Sequence, residues 1–135
     1  MNGRIRPTWA EYAMNLAIAA STRSADPYRQ VGAAILGINN ETLGTGYNGA
    51  PPGFEVDWSD REKRLKYVVH AEVNCCKYIV PGQARLIAVT LSPCTSCVQT
   101  IAAYKIPTII YREVYERDSS GLELAKEFGI ELIKV

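Results

Sequence analysis

Two short stretches constrain this chain more than anything else in it: His70-Ala71-Glu72, and further on Pro93-Cys94-Thr95-Ser96-Cys97. They supply three candidate zinc ligands, His70, Cys94 and Cys97, and a carboxylate, Glu72, next but one to the first. A structural zinc site is normally closed by four protein ligands, whereas a catalytic one keeps a position for water. His70 is the only histidine in the chain, so no second imidazole closes the set. The pattern predicts a hydrolytic zinc site, with Glu72 beside the metal and not bound to it. Pro93 suits the first turn of a helix. Cys94 and Cys97, three apart, then share one helical face, where the positive helix terminus favours thiolates.

A C-x-x-C pair taken alone has blander uses, as a structural zinc half-site or a redox couple. Thioredoxin-like pairs follow a strand near the start of a fold, and this one follows a late strand. The combination with His-x-Glu and the preceding proline favours catalytic zinc. Cys75 and Cys76 are adjacent on a helix and cannot chelate one ion without outside ligands. They read as small buried apolar residues, and a second zinc is not expected.

The remaining pattern is that of an α/β domain spanning residues 1–135. Apolar positions at Trp9, Tyr12, Ala13, Leu16, Ala17 and Ala20 make a helical stripe over 8–21. Strands are expected at 31–38 and 42–47, joined as a hairpin through Asn39-Asn40-Glu41. From Asn48 a long polar loop is expected to reach about Lys66, and a loop of that length in a compact domain is usually functional. A helix over 69–80 carries His-Ala-Glu and ends before Pro81-Gly82. Strand 86–91, helix 94–103, strand 107–111, helix 120–128 and a last strand 130–135 follow, with Gly129 closing the last helix. This order implies one sheet with helices on both faces and zinc between the N-termini of the two motif helices.

The 47% hydrophobic content suffices for one core. Fifteen Lys and Arg nearly cancel fourteen Asp and Glu, leaving a net charge of +1, so a nucleic-acid-coating surface is not expected. No apolar run approaches the roughly 20 residues that span a bilayer, so no membrane partner is expected. The start, Met1 to Pro7, lacks the apolar stretch of a signal peptide, which favours a reducing cytoplasm.

With these elements in place, the chain resembles the cytidine-deaminase superfamily over nearly its full length, and within it the deoxycytidylate (dCMP) deaminases. The residues that carry the resemblance are Ser24-Ala25-Asp26-Pro27 with Gln30-Val31-Gly32-Ala33, and Gly46-Tyr47-Asn48-Gly49 with Pro51 and Gly53. To these are added His70-Ala71-Glu72-Val73-Asn74 and Pro93-Cys94-Thr95-Ser96-Cys97. The zinc stretches are the known signature of nucleobase deaminases. An alanine is more usual where this chain has Cys75. The resemblance implies a three-layer α-β-α sandwich with one five-stranded mixed sheet. It implies hydrolysis of dCMP to dUMP and ammonia, with Zn²⁺ as cofactor and Glu72 shuttling the proton. It further implies a homo-oligomer, commonly a hexamer, activated by dCTP and inhibited by dTTP with Mg²⁺.

Transferred residue by residue, the resemblance implies that Asn48 bonds the substrate sugar, although Asn-Gly is also a strong turn signal. It implies that the N–H of Ala71 and the carbonyl of Ser92 grip the pyrimidine edge. Val31 and Ala33 stand where either the ring pocket or the strand core would take them. Gly46, Tyr47, Asn48 and Gly49 are expected at a regulatory nucleotide site, their glycines offering N–H groups to phosphate, or else in an ordinary post-strand turn. The 5′-phosphate needs arginines, and the candidates are Arg23, Arg112 and Arg117, with Tyr115 as a hydroxyl donor; single surface arginines are equally often mere solvated charge. Competing readings are a cytidine, guanine or tRNA adenosine deaminase, or a zinc-stabilised binding module without catalysis. Lack of a basic run opposes the tRNA reading, and Glu72 opposes the inert module.

Overall fold

The computed structural model describes residues 3–135. Met1 and Asn2, the first residues of the stretch read as lacking a leader, lie outside the described residues. Helix α1 (Trp9–Ser21) begins with a reciprocal cap: Thr8 Oγ1 accepts from the N–H of Glu11, whose carboxylate accepts from the N–H of Thr8. Strands β1 (Gly32–Gly37) and β2 (Thr42–Tyr47) form the expected hairpin. Its turn holds Asn40 at φ 62°, a conformation asparagine tolerates better than most residues. The later elements are α2 (Arg61–Tyr67), α3 (Ala71–Cys76), β3 (Ala84–Leu91), α4 (Thr95–Ala103), β4 (Thr108–Glu113), α5 (Ser120–Glu127) and β5 (Glu131–Lys134).

The five strands form one mixed sheet in the order β2-β1-β3-β4-β5. β1 runs antiparallel to β2 and β3, while β3, β4 and β5 are parallel. Alternation along the central strands divides the core in two. Ala34, Leu36, Leu86, Ala88 and Ile110 pack against Ala13, Met14 and Ala17 of α1. Ala33, Ile35, Ile87, Val89 and Ile109 face the other way, onto Ala71, Cys75 and Cys76 of α3, Val98 and Ile101 of α4, and Ala125 of α5. Helices therefore cover both faces of the five-stranded sheet, as expected, with the two motif helices on one side.

Two expectations need correction. Residues 61–67, read as part of a loop, form α2. Its N-cap Asp60 accepts from the N–H of Lys63, yet the helix buries no residue, so it left no apolar period to read. The His-Ala-Glu helix is also shorter than expected. Val69 belongs to a two-way backbone bridge with Gly49, and the chain turns after Cys76.

Gly46 sets how closely α3 lies on the sheet. A Cβ there would meet the backbone nitrogen of Cys75 at 2.6 Å and the carbonyl oxygen of Ala71 at 2.7 Å. Only glycine permits that approach, and it brings the start of α3 to the ends of the central strands.

Candidate active site

His70 and Cys94 occupy equivalent positions, as the N-caps of α3 and α4, both with extended backbone. Cys97 follows in the first turn of α4 and is buried. Helix α5 holds the cysteine segment in place: a Cβ on Gly121 would lie 1.8 Å from the Pro93 carbonyl oxygen. The His70 Nδ1 atom lies 3.2 Å from Cys97 Sγ and 3.5 Å from Cys94 Sγ. All three ligand atoms fall within 4.8 Å of one another. Zinc bonds of about 2.3 Å to sulfur and about 2.0 Å to nitrogen, at a tetrahedral angle, place such atoms roughly 3.5 Å apart. The donor set fits zinc through Nδ1 and two sulfurs, with the fourth position left to a non-protein ligand.

The electrostatics suit metal binding. Hydrogen bonds from the Cys97 thiol and His70, followed by one from Ser96, pull the Cys94 thiol down to about 3. Cys97 is pushed up, first because its proton is shared with that thiolate and then by burial. His70 is raised by its bond to Cys94. Glu72 stands in the first turn of α3 and is only 4% exposed, and burial raises its carboxyl. Cys75 and Cys76 are buried at 0% and 2%; burial lifts both thiols, Cys76 up to about 11. Apolar burial suits their expected packing role.

His70, Glu72 and Cys94 line a cleft of about 350 Å³ at the C-terminal ends of β3 and β4. That is where open α/β sheets carry their ligands, and the size is ordinary for a small-molecule site. Val31, Asn48, Ala71, Ser92 and Tyr115 line the same cleft. Asn48 is buried and heavily engaged. Its Oδ1 accepts from the N–H of Val31 at 2.8 Å, and its Nδ2 donates to Arg29 O and Asp26 Oδ2. One lone pair on Oδ1 is the valence left for a ligand. Ser92 is pinned on two sides, its N–H donating to Glu113 O and its Oγ accepting from the N–H of Tyr115.

Several expected residues lie elsewhere. Ala33 is wholly buried in the core beneath α3 and does not reach the cleft. Arg112 shares the α1 side of β4 with Ile110 and borders a separate small cavity. Arg23 and Arg117 are exposed and line neither cavity. In the 46–49 stretch, Gly46 is covered by α3, and the N–H groups of Asn48 and Gly49 donate to Val31 O and Val69 O. Those two amides are thus not free for phosphate. Sequence reasoning missed Arg64, Leu65 and Val68, which α2 and its exit bring to the cleft, and Asp118 from the loop after β4. The Asp60 cap was the one local signal for α2.

Residues 7–113 match the family described as the cytidine and deoxycytidylate deaminase zinc-binding region. The chain belongs to this family. Deoxycytidylate deaminase of Pongo abelii is 34% identical over 128 residues, covering 87% of this chain and 72% of that protein. The Homo sapiens deoxycytidylate deaminase is 33% identical with the same coverage. Among solved structures, dCMP deaminase from the cyanophage S-TIM5 in complex with dCMP and dUMP superposes with a TM-score of 0.83. It is 28% identical, and the match covers 98% of this chain and 100% of that one. The cytidine-deaminase-like fold and the family's zinc-binding character therefore coincide here with the His70-Cys94-Cys97 cluster.

Proposed function

We propose that this chain is a zinc-dependent hydrolase that deaminates dCMP to dUMP and releases ammonia. The observation that carries the reading is the Nδ1-Sγ-Sγ triad opening onto a cleft that also holds the buried carboxyl of Glu72. His70, Cys94 and Cys97 would hold the metal, which when bound lowers the pKa of a water to about 7. Glu72 takes a proton from the attacking water and delivers it to ring N3, as oxygen bonds to C4. It then passes the second proton to the exocyclic nitrogen; the C4–N bond breaks and ammonia leaves. Burial keeps Glu72 basic enough to hold each proton in turn.

Recognition of the base falls to the backbone. The N–H of Ala71 is in the first turn of α3 and lacks an intrahelical acceptor. The Ser92 carbonyl accepts from the 4-amino group and would be left unpaired by uracil, which favours release of product. The free lone pair of Asn48 accepts from a sugar hydroxyl, and Val31 packs on the ring. Relatives named deoxycytidylate deaminases, and a similar structure bound to dCMP and dUMP, support this substrate.

The proposal extends to activation by dCTP and inhibition by dTTP with Mg²⁺, and to a homo-oligomer such as a hexamer, on the strength of the family resemblance. With Asn48 and Gly49 N–H groups already bonded, other groups of the 46–49 region would meet the triphosphate. No described helix is long and apolar enough to cross a membrane. All four cysteines are free, which suits a reducing cytoplasm.

Ammonia release from dCMP, CMP, deoxycytidine and cytidine, measured in parallel on zinc-loaded protein, tests the substrate. Preference for dCMP is expected, and turnover confined to one of the other three would overturn the reading. If saturating dCTP and dTTP left both activity and melting unchanged, the regulatory extension would fall.

A further inference from the structure

A nucleoside monophosphate carries close to two negative charges at neutral pH, and a bidentate arginine is the side chain best shaped to receive them. Arg64 of α2 is the arginine that lines the cleft. It is already held in place. Its Nη1 donates to the Trp58 carbonyl at 2.6 Å, and its guanidinium carbon lies 4.3 Å from the centroid of the Tyr28 ring. Stacking and one carbonyl bond fix the plane of the fork while leaving its other N–H donors unspent. Among the described residues no carboxylate lies within ion-pair distance of it; Arg29, by contrast, is paired to Glu113 at 3.1 Å.

The other charged groups of the cleft do not compete for Arg64. Asp26 accepts from the N–H groups of Tyr28 and Arg29 and from the Asn48 amide. Asp118 accepts from the N–H and hydroxyl of Ser120. Both carboxylates are committed to shaping their own loops. The anionic end of a ligand is therefore drawn to the Arg64 side, away from them.

We propose that Arg64 selects a nucleotide over a nucleoside by gripping the 5′-phosphate of dCMP. This inference rests on the dCMP reading above, and the readout separates the two. The quantity to measure is the ratio of kcat/KM for dCMP to that for deoxycytidine, in zinc-loaded wild type and in Arg64→Ala, Arg64→Gln and Arg64→Lys. Gln keeps an N–H donor for the Trp58 carbonyl, so it reports even if Ala unsettles the loop. Losing charge-assisted bonds to phosphate should lower the ratio roughly 10- to 100-fold in Ala and Gln. Lys should fall between those variants and wild type. An unchanged ratio in folded Gln variant, including equal losses on both substrates, assigns Arg64 to holding the loop and overturns the inference. Wild type that shows no preference for dCMP would instead overturn the substrate reading. Arg6→Ala, an exposed arginine that lines neither cavity, serves as a charge-matched surface control and should leave the ratio as it is.

Discussion

Glu72 is almost completely enclosed, and its carboxyl is raised chiefly by that enclosure. Glutamine has the same shape and no need of a proton, so Glu72→Gln should fold and take up one zinc per chain. Its turnover should fall by about 10²- to 10⁴-fold, the usual worth of a positioned acid–base group. Stopped assays beside metal analysis check both halves, and appreciable activity would move the proton shuttle elsewhere. Two zincs per chain, or none in active protein, would contradict the three-ligand site. The four thiols should also separate by reactivity. Cys75 and Cys76 are enclosed and hold their protons, whereas Cys94 is half-buried and strongly inclined to thiolate. After chelation, iodoacetamide at pH 8 should modify Cys94 first and leave Cys75 and Cys76 intact in folded protein. Peptide mapping reads the order; early loss of Cys75 would show that α3 is open.

Helix α3 depends on contact with β2 through Gly46, where any side chain meets backbone at both Cys75 and Ala71. Gly46→Ala should therefore destabilise the fold by about 1–3 kcal/mol, the range seen for overpacked cores. Urea unfolding measures it, and an unchanged midpoint would mean that α3 does not pack so tightly. Elements with a buried face were legible from their pattern: the stripe of α1 through Ala13 and Ala17, although Trp9 and Tyr12 of that stripe stay exposed, and the apolar runs of β1 and β3. The convergence of His70, Cys94 and Cys97 was legible too, because zinc demands particular side chains at particular separations. What escaped was decided by tertiary contact. α2 buries nothing and so shows no period, and α3 starts late because Val69 is drawn into a bridge with Gly49. For the same reason Arg64 was passed over, while Arg23, Arg112 and Arg117 drew notice by standing near loops. Strand alternation places Arg112 on the α1 side of the sheet, a consequence that needs the register of β4 to be known.

The proposed metal ligands come from the starts of two helices separated in sequence by the whole of β3. Zinc should therefore contribute to global stability, since it binds only the folded arrangement. Chelation should lower the melting temperature, and restoring zinc should recover it; an unchanged melt would mean that the two helix starts hold together without the ion. A different consequence follows from the pair of backbone bonds between Gly49 and Val69, at 3.0 and 2.9 Å. The chain leaves the sheet and comes back through one gate, and the segment in between is held by that gate and by the stacking of Arg64 on Tyr28. The ligand-bearing scaffold and the segment that carries Arg64 are thus separable parts, as blade and handle are. Exchanging residues 51–67 for a short glycine–serine connector should leave zinc uptake intact while abolishing the preference for dCMP. If so, a new substrate preference would come from exchanging that one cassette, with His70, Cys94 and Cys97 left where they are.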